Sequence, residues 1–162
     1  METAELELIR KIHGIFKSKN LRLSLAESCT AGFISSLIVH LPGASDFFDS
    51  SVVCYSLISK EKLLGVGKSI LKRYGTISEE TAKAMAEGVR LRTKTDFALS
   101  ITGNLGPEPI EDKKTGLVFI AVSFEGGIES KGMIFEGSRD EIKLSASAAA
   151  LEFLYGVVSV WG

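Results

Sequence analysis

Ser28, Tyr55, Lys60 and Thr102 are residues whose types suit nucleophilic chemistry, and each stands near the end of an apolar, strand-like run. A serine hydroxyl is a weak nucleophile until a base takes its proton. A lysine serves as that base when desolvation or a nearby cation lowers its pKa, and a tyrosine can relay the proton or donate to an oxyanion. Imidazole is scarce: the two histidines are His13, in a surface helix, and His40, within the next helix. A Ser-His-Asp arrangement is therefore poorly supported, and Lys, Tyr, Asp or Glu must carry any proton. Cys29 and Cys54 are the only cysteines, too few for a disulfide framework and without metal-ligand spacing, so no metal site is expected. Cys29 is a second candidate nucleophile, because a thiol at a helix N-terminus has a lowered pKa. Taken singly, each residue also has a plainer reading: Ser28 or Thr30 as a helix cap, Tyr55 as a strand residue, Lys60 as a solvent-facing charge.

The elements that must position these groups follow from periodicity. Leu21, Leu23 and Leu25 alternate with Arg22 and Ser24, which predicts a strand. From about Thr30 to Leu41 the apolar residues Phe33, Ile34, Leu37, Ile38 and Leu41 take helical spacing. A strand feeding a helix through a short Ser/Thr/Gly turn leaves free N–H groups where anions are stabilised. Ligands of open α/β sheets bind at that carboxyl edge. An amphipathic helix over residues 5–17 precedes this unit. Phe47 to Tyr55 reads as a buried strand, and Leu57 to Val66 as a short helix with Lys60, Glu61 and Lys62 exposed around Ile58, Leu63 and Leu64.

Ser78 caps a helix whose face, Ala82, Met85, Ala86 and Val89, is unusually small and suits close approach to the sheet or to another subunit. Phe97 to Ile101 is a short strand. Residues 102–115 form one long irregular stretch, and loops of that length are often functional. Two strands joined at Glu125-Gly126-Gly127 form a hairpin, and a long alanine-rich helix over residues 138–158 closes the chain. The expected fold is a three-layer α/β/α sandwich on a mixed, mostly parallel sheet of about five strands, with residues 1–162 as one domain.

Composition narrows the classes further. The 162 residues carry a net charge of −1, with 45% apolar and 24% charged residues, an ordinary globular balance without the basic footprint of a nucleic-acid binder. No apolar run approaches the roughly 20 residues that span a bilayer, and Met1 to Arg10 lacks a signal-peptide layout, so a cytoplasmic protein with no membrane partner is expected.

Several motifs occur in an order that resembles a known family. They are Ala26-Glu27-Ser28-Cys29-Thr30-Ala31-Gly32, Tyr55 with Lys60 five residues on, Leu64-Gly65-Val66, Ser78-Glu79-Glu80, Ile101-Thr102-Gly103, Gly106-Pro107, Gly116-Leu117-Val118 and Phe135-Glu136-Gly137-Ser138-Arg139. Together they resemble the CinA C-terminal-domain family, whose characterised members are nicotinamide mononucleotide deamidases. The resemblance implies metal-independent hydrolysis of the nucleotide's carboxamide to the acid and ammonia. It implies no cofactor, a small-molecule nucleotide substrate and a homodimer or higher homo-oligomer.

It further implies Ser28 as nucleophile, Lys60 as its base and Tyr55 as an aid to proton transfer. Glu27, Thr30, Gly32, Thr102 and Gly103 would bind substrate or the oxyanion, and Arg139 would pair with an anion such as the phosphate. The chain departs from the family at Leu57-Ile58, where an Asn-Glu pair is usual, and in residues 104–110, where glycines are usual. Close backbone approach to a phosphate favours glycine. Two alternatives therefore stand beside the deamidase: a catalytically silent nucleotide-binding or regulatory member of the fold, and an amidase for another small carboxamide.

Overall fold

Side-chain size, more than polarity, alternates along the central strands: Leu23, Leu25, Phe97, Leu99, Ile101, Ile120 and Val122 face one way, and Ser24, Ala26, Ala98, Ser100, Ala121 and Ser123 the other. Strands with both faces buried lose the polar alternation of half-exposed ones. In the computed structural model, which describes residues 3–161, the large face packs under three helices and the small face under three others, one of which approaches closely. Met1 and Glu2, the start of the stretch read for a signal peptide, and Gly162 lie outside the described residues.

The elements are α1 (Thr3–Ser18), β1 (Leu23–Glu27), α2 (Phe33–Ile38), β2 (Phe48–Val53), α3 (Leu57–Leu64), α4 (Lys68–Tyr74), α5 (Glu79–Thr93), β3 (Phe97–Gly103), β4 (Leu117–Phe124), β5 (Gly127–Ile134) and α6 (Arg139–Val160). A short 3-10 turn, Ala44–Asp46, precedes β2. Strand order is β2-β1-β3-β4-β5. The β1–β2 and β1–β3 pairs are parallel, and the hairpin adds the antiparallel pairs β3–β4 and β4–β5. The sheet is thus mixed with five strands, its pairings evenly parallel and antiparallel. Helices α1, α2 and α6 cover the face with the larger side chains; α3, α4 and α5 cover the other.

On the second face α5 sits close enough for Ser100 Oγ to donate to Ala82 O at 2.6 Å. A Cβ on Gly88 would meet Leu64 O at 2.1 Å, so glycine is required where α3 crosses α5. Ala82, Met85 and Ala86 are fully buried within the one chain. The small face is therefore consumed by the sheet and leaves nothing for a second subunit.

Other expectations are corrected in detail. His13 is buried, with Nε2 2.8 Å from Ile38 O and its ring edge-on to Phe47. His40 lies beyond the end of α2. β2 is an edge strand, only half covered, and ends before Cys54 and Tyr55. α6, with 22 residues, is by length and composition apolar enough to cross a membrane, contrary to the reading of the bare sequence. Here Ile142, Ala146, Ala150, Leu151, Leu154 and Val158 bury it in the core, which accounts for its composition.

Candidate active site

Register brings the reactive groups to one edge. Glu27 at the end of β1 pairs with Val53 of β2 and with Ile101 of β3, so the next residues of all three strands emerge level. Ser28 N donates to Ile101 O (3.1 Å) and Cys54 N to Glu27 O (2.9 Å), which extends the pairing one residue past each strand. Ser28, Cys54 and Thr102 thus share one edge of the sheet.

The turn after β1 owes its shape to Glu27. Its carboxylate, fully buried, accepts from Gly32 N (3.0 Å), Ile34 N (3.1 Å), Ser35 N (2.8 Å) and Thr30 Oγ1 (2.6 Å), and from Ser35 Oγ. These include N–H groups that the first turn of a helix leaves unpaired. An acid placed there is further favoured by the helix dipole. Neither Ser28 nor Thr30 caps α2; the glutamate does. Ala31 (φ 50°) and Gly32 (φ 95°) both take left-handed backbone, so α2 starts at Phe33 and not at Thr30. Ser28 is left with its hydroxyl free to point elsewhere.

It points to Lys60. α3 is capped by a reciprocal pair, Ser59 N to Ser56 Oγ and Ser56 N to Ser59 Oγ, each 3.1 Å. That cap sets the helix so that Lys60 faces inward at 1% exposure, while Leu57, Ile58 and Leu63 face out at 45%, 60% and 48%. Relative to expectation, Lys60 is thus exchanged for Ile58 and Leu63, while Leu64 is buried and Lys62 exposed as expected. The reason is polar satisfaction: Lys60 Nζ lies 2.8 Å from Ser28 Oγ, 2.8 Å from Cys54 O and 3.3 Å from Tyr55 O. A buried amine is tolerated where each donor has a partner. Burial pushes the Lys60 pKa below its ordinary value, opposed by the Cys54 and Cys29 thiols and the Glu111 carboxylate. A neutral amine there gives two N–H bonds to the carbonyls and turns its lone pair toward the serine hydroxyl, the geometry of a general base.

Cys29 lines the same cleft, but burial pushes its thiol up to about 12. A thiol kept protonated is a poor nucleophile. Cys29→Ala is expected to retain turnover, and iodoacetamide labelling of the native protein at neutral pH to be slow. Rapid labelling with parallel loss of activity would return the role to sulfur.

The cleft of about 130 Å³ is lined by Ser28, Cys29, Tyr55, Thr76, Ile77, Thr102, Gly103, Leu105, Ile110 and Arg139. Tyr55 is 60% exposed, and its hydroxyl accepts from Arg139 Nη2 at 3.1 Å, while only its carbonyl touches Lys60. Arg139, the first residue of α6, also donates to Gly106 O at 2.5 Å and so ties the long loop to the tyrosine. Thr102 Oγ1 donates to Thr76 O at 2.7 Å. Gly103 is required by packing, since a Cβ would meet Val118 Cγ2 at 2.7 Å. Glu27, Thr30 and Gly32 shape the turn and are not in the lining. Among the described residues no group of three or more His, Cys, Asp or Glu is placed to hold a metal.

Thr76, Ile77, Leu105 and Ile110 were not anticipated. The loop that carries the last two is organised by Asn104, fully buried, whose Nδ2 donates to Glu108 O (3.0 Å) and Lys113 O (3.3 Å) and whose Oδ1 accepts from Gly106 N (2.8 Å). An asparagine between glycine and leucine was the available signal, since its side chain readily bonds nearby backbone.

The fold and its edge define an α/β/α domain with a buried serine–lysine pair. The sequence profile of the CinA C-terminal domain matches residues 5–158, and the chain belongs to that family. It is 41% identical over 141 residues to a CinA-like protein of Geobacter metallireducens, covering 86% of this chain and 34% of that protein. A CinA-like protein of Dictyoglomus thermophilum is 39% identical over 151 residues, covering 93% and 37% respectively. The chain thus spans about a third of the length of these curated relatives. Among solved structures, the competence/damage inducible protein CihA from Agrobacterium tumefaciens superposes with a TM-score of 0.92 at 34% identity, covering 96% of each chain. A CinA superfamily protein of Klebsiella pneumoniae gives 0.93 at 29% identity, covering 97% of this chain and 99% of that one.

Proposed function

We propose that this domain is a metal-independent amidohydrolase that converts a pyridine carboxamide, nicotinamide mononucleotide, to the acid and ammonia. The observation that carries the reading is the buried contact of Lys60 Nζ with Ser28 Oγ at 2.8 Å. Neutral Lys60 takes the hydroxyl proton as Ser28 Oγ attacks the carboxamide carbon, forming a tetrahedral intermediate. The resulting ammonium returns the proton to the leaving nitrogen, which departs as ammonia and leaves an acyl-serine ester. Water, deprotonated by the same lysine, hydrolyses the ester and regenerates Ser28. Tyr55 and Arg139 stand at the mouth, where they would hold the nucleotide end of the substrate.

Ammonia release tests this directly, with nicotinamide mononucleotide set against nicotinamide. A second reading, an amidase for a phosphate-free carboxamide, has a specific support: Arg139 is already engaged by Gly106 O and Tyr55, and the adjoining loop carries Glu108, Glu111 and Asp112. Faster release from nicotinamide would favour it. Nucleotide binding without turnover would favour a silent regulatory member. A cytoplasmic, homo-oligomeric protein belongs to the same proposal, and light scattering at micromolar concentration is expected to give at least a dimer; a monomer mass would remove that part.

Lys60 also predicts that pH moves activity and stability in the same direction, whereas substitution of Lys60 moves them apart. Because its folded pKa is below the unfolded value of 10.5, the unfolded chain binds more protons between the two values. Stability therefore rises with pH through that window, and the cost of burying the amine is fully present below the folded pKa. The kcat/KM profile should rise with pH through the folded pKa, as the amine becomes free. Lys60→Met should raise Tm at neutral pH while abolishing turnover, and a Tm lowered by this change at pH 7 would contradict the burial cost.

A further inference from the structure

The turn at residues 75–77 is fastened from three directions. Thr81 Oγ1 donates to Gly75 O at 2.6 Å. The Glu111 carboxylate accepts from Thr76 N at 2.9 and 3.0 Å, from Thr76 Oγ1 at 2.7 Å and from Ile77 N at 3.3 Å. Thr102 Oγ1 donates to Thr76 O. Gly75 makes room for this, since a Cβ there would meet Glu111 Oε2 at 2.2 Å. Glu111 and Asp112 both hold left-handed backbone, φ 55° and 57°, a conformation side chains resist unless the surroundings impose it. The loop thus spends conformational strain to deliver one carboxylate to one turn.

The carbonyl of Thr76 and the N–H of Ile77 belong to the same peptide group. Glu111 holds its N–H end and the Thr102 hydroxyl holds its oxygen. An anion at the N–H end polarises the peptide and makes its oxygen a stronger acceptor, as in any hydrogen-bonded chain. Thr102 has one hydroxyl proton, and it is committed there. What Thr102 offers to the cleft it lines is therefore lone pairs only.

We propose that Glu111 is a positioning residue that fixes the Thr102 hydroxyl as an acceptor, so that the cleft selects a primary carboxamide, with its N–H donors, over an ester or carboxylate of the same acyl group. This rests on the reading of Ser28 and Lys60 as an amidase pair. An ester brings no donor to Thr102, and the carboxylate product meets its lone pairs unfavourably, which also assists product release.

The test uses the full chain with two substrates, nicotinamide mononucleotide and the methyl ester of nicotinate mononucleotide. Glu111→Gln keeps the shape and removes the charge. It should lower the amide-to-ester ratio of kcat/KM about fivefold to tenfold, the scale of one weakened hydrogen bond. Loss of the Glu111 charge also acts through Lys60, and Thr102→Val, which leaves that charge in place, separates the two effects. Thr102→Ser should keep the wild-type ratio. Thr102→Val should lower it as Glu111→Gln does, and the Glu111→Gln/Thr102→Val pair should add little to either. An unchanged ratio in Glu111→Gln overturns the proposal. If the wild type hydrolyses neither compound, the amidase reading fails separately, and calorimetry with nicotinamide mononucleotide and nicotinate mononucleotide decides the inference. Preference for the amide, lost in Glu111→Gln, supports it; equal affinity, or none, overturns it.

Discussion

Ser28→Ala and Lys60→Met should each lower kcat by at least about 10⁴-fold, and the double mutant should be little worse than either alone. Each change removes one half of a single proton-transfer unit, so the second loss has nothing left to disable. Neither should unfold the chain. Ser28 contributes no cap to α2, whose first N–H groups belong to Glu27, and Lys60→Met replaces a buried amine with an apolar stem of similar length. Steady-state ammonia release with circular dichroism on all three variants is the measurement. Strictly additive losses, or substantial activity in Ser28→Ala, would dismiss the serine–lysine unit.

Glu27→Ala should be the most destabilising single change near the site, by roughly 3–5 kcal/mol, because it strands five buried or half-buried donors at once. For a domain of this size that corresponds to a fall in Tm of about 6–20 °C. Glu27→Gln, which keeps one good acceptor oxygen, should lose less. The outcome also separates two roles for this residue. If Glu27 binds substrate, its loss raises KM with little change in Tm. If it holds the turn, Tm falls and activity falls with it because Ser28 is displaced. Thermal melts beside kinetics distinguish them, and an unshifted melt for Glu27→Ala would sink the structural role.

Local sequence determined a great deal about this protein. The alternating leucines before Glu27, the glycine pair after Glu125 and the serine cap at Ser78 each act within a few residues, so strand, hairpin and helix start were legible without neighbours. The candidate reactive residues were legible as a set, through the resemblance of their ordered motifs to a known family; singly, each had a plainer reading. Burial was decided only by tertiary structure. Residues 57–64 alone suggest a solvent-facing lysine; it turns inward because the Cys54 and Tyr55 carbonyls, just past β2, accept its N–H groups and the Ser28 hydroxyl meets the same amine. The small face of α5 suggested a partner subunit as readily as a sheet, and only the alanines and serines of β1, β3 and β4 show which surface it fits. Glu111 gave no sign in sequence of its partner, because Thr76 lies 35 residues away and the contact depends on how a loop after β3 folds back over the turn before α5. Periodicity reports what one element needs from its surroundings. Which groups meet at the sheet edge depends on register and crossovers, and those are properties of the assembled chain.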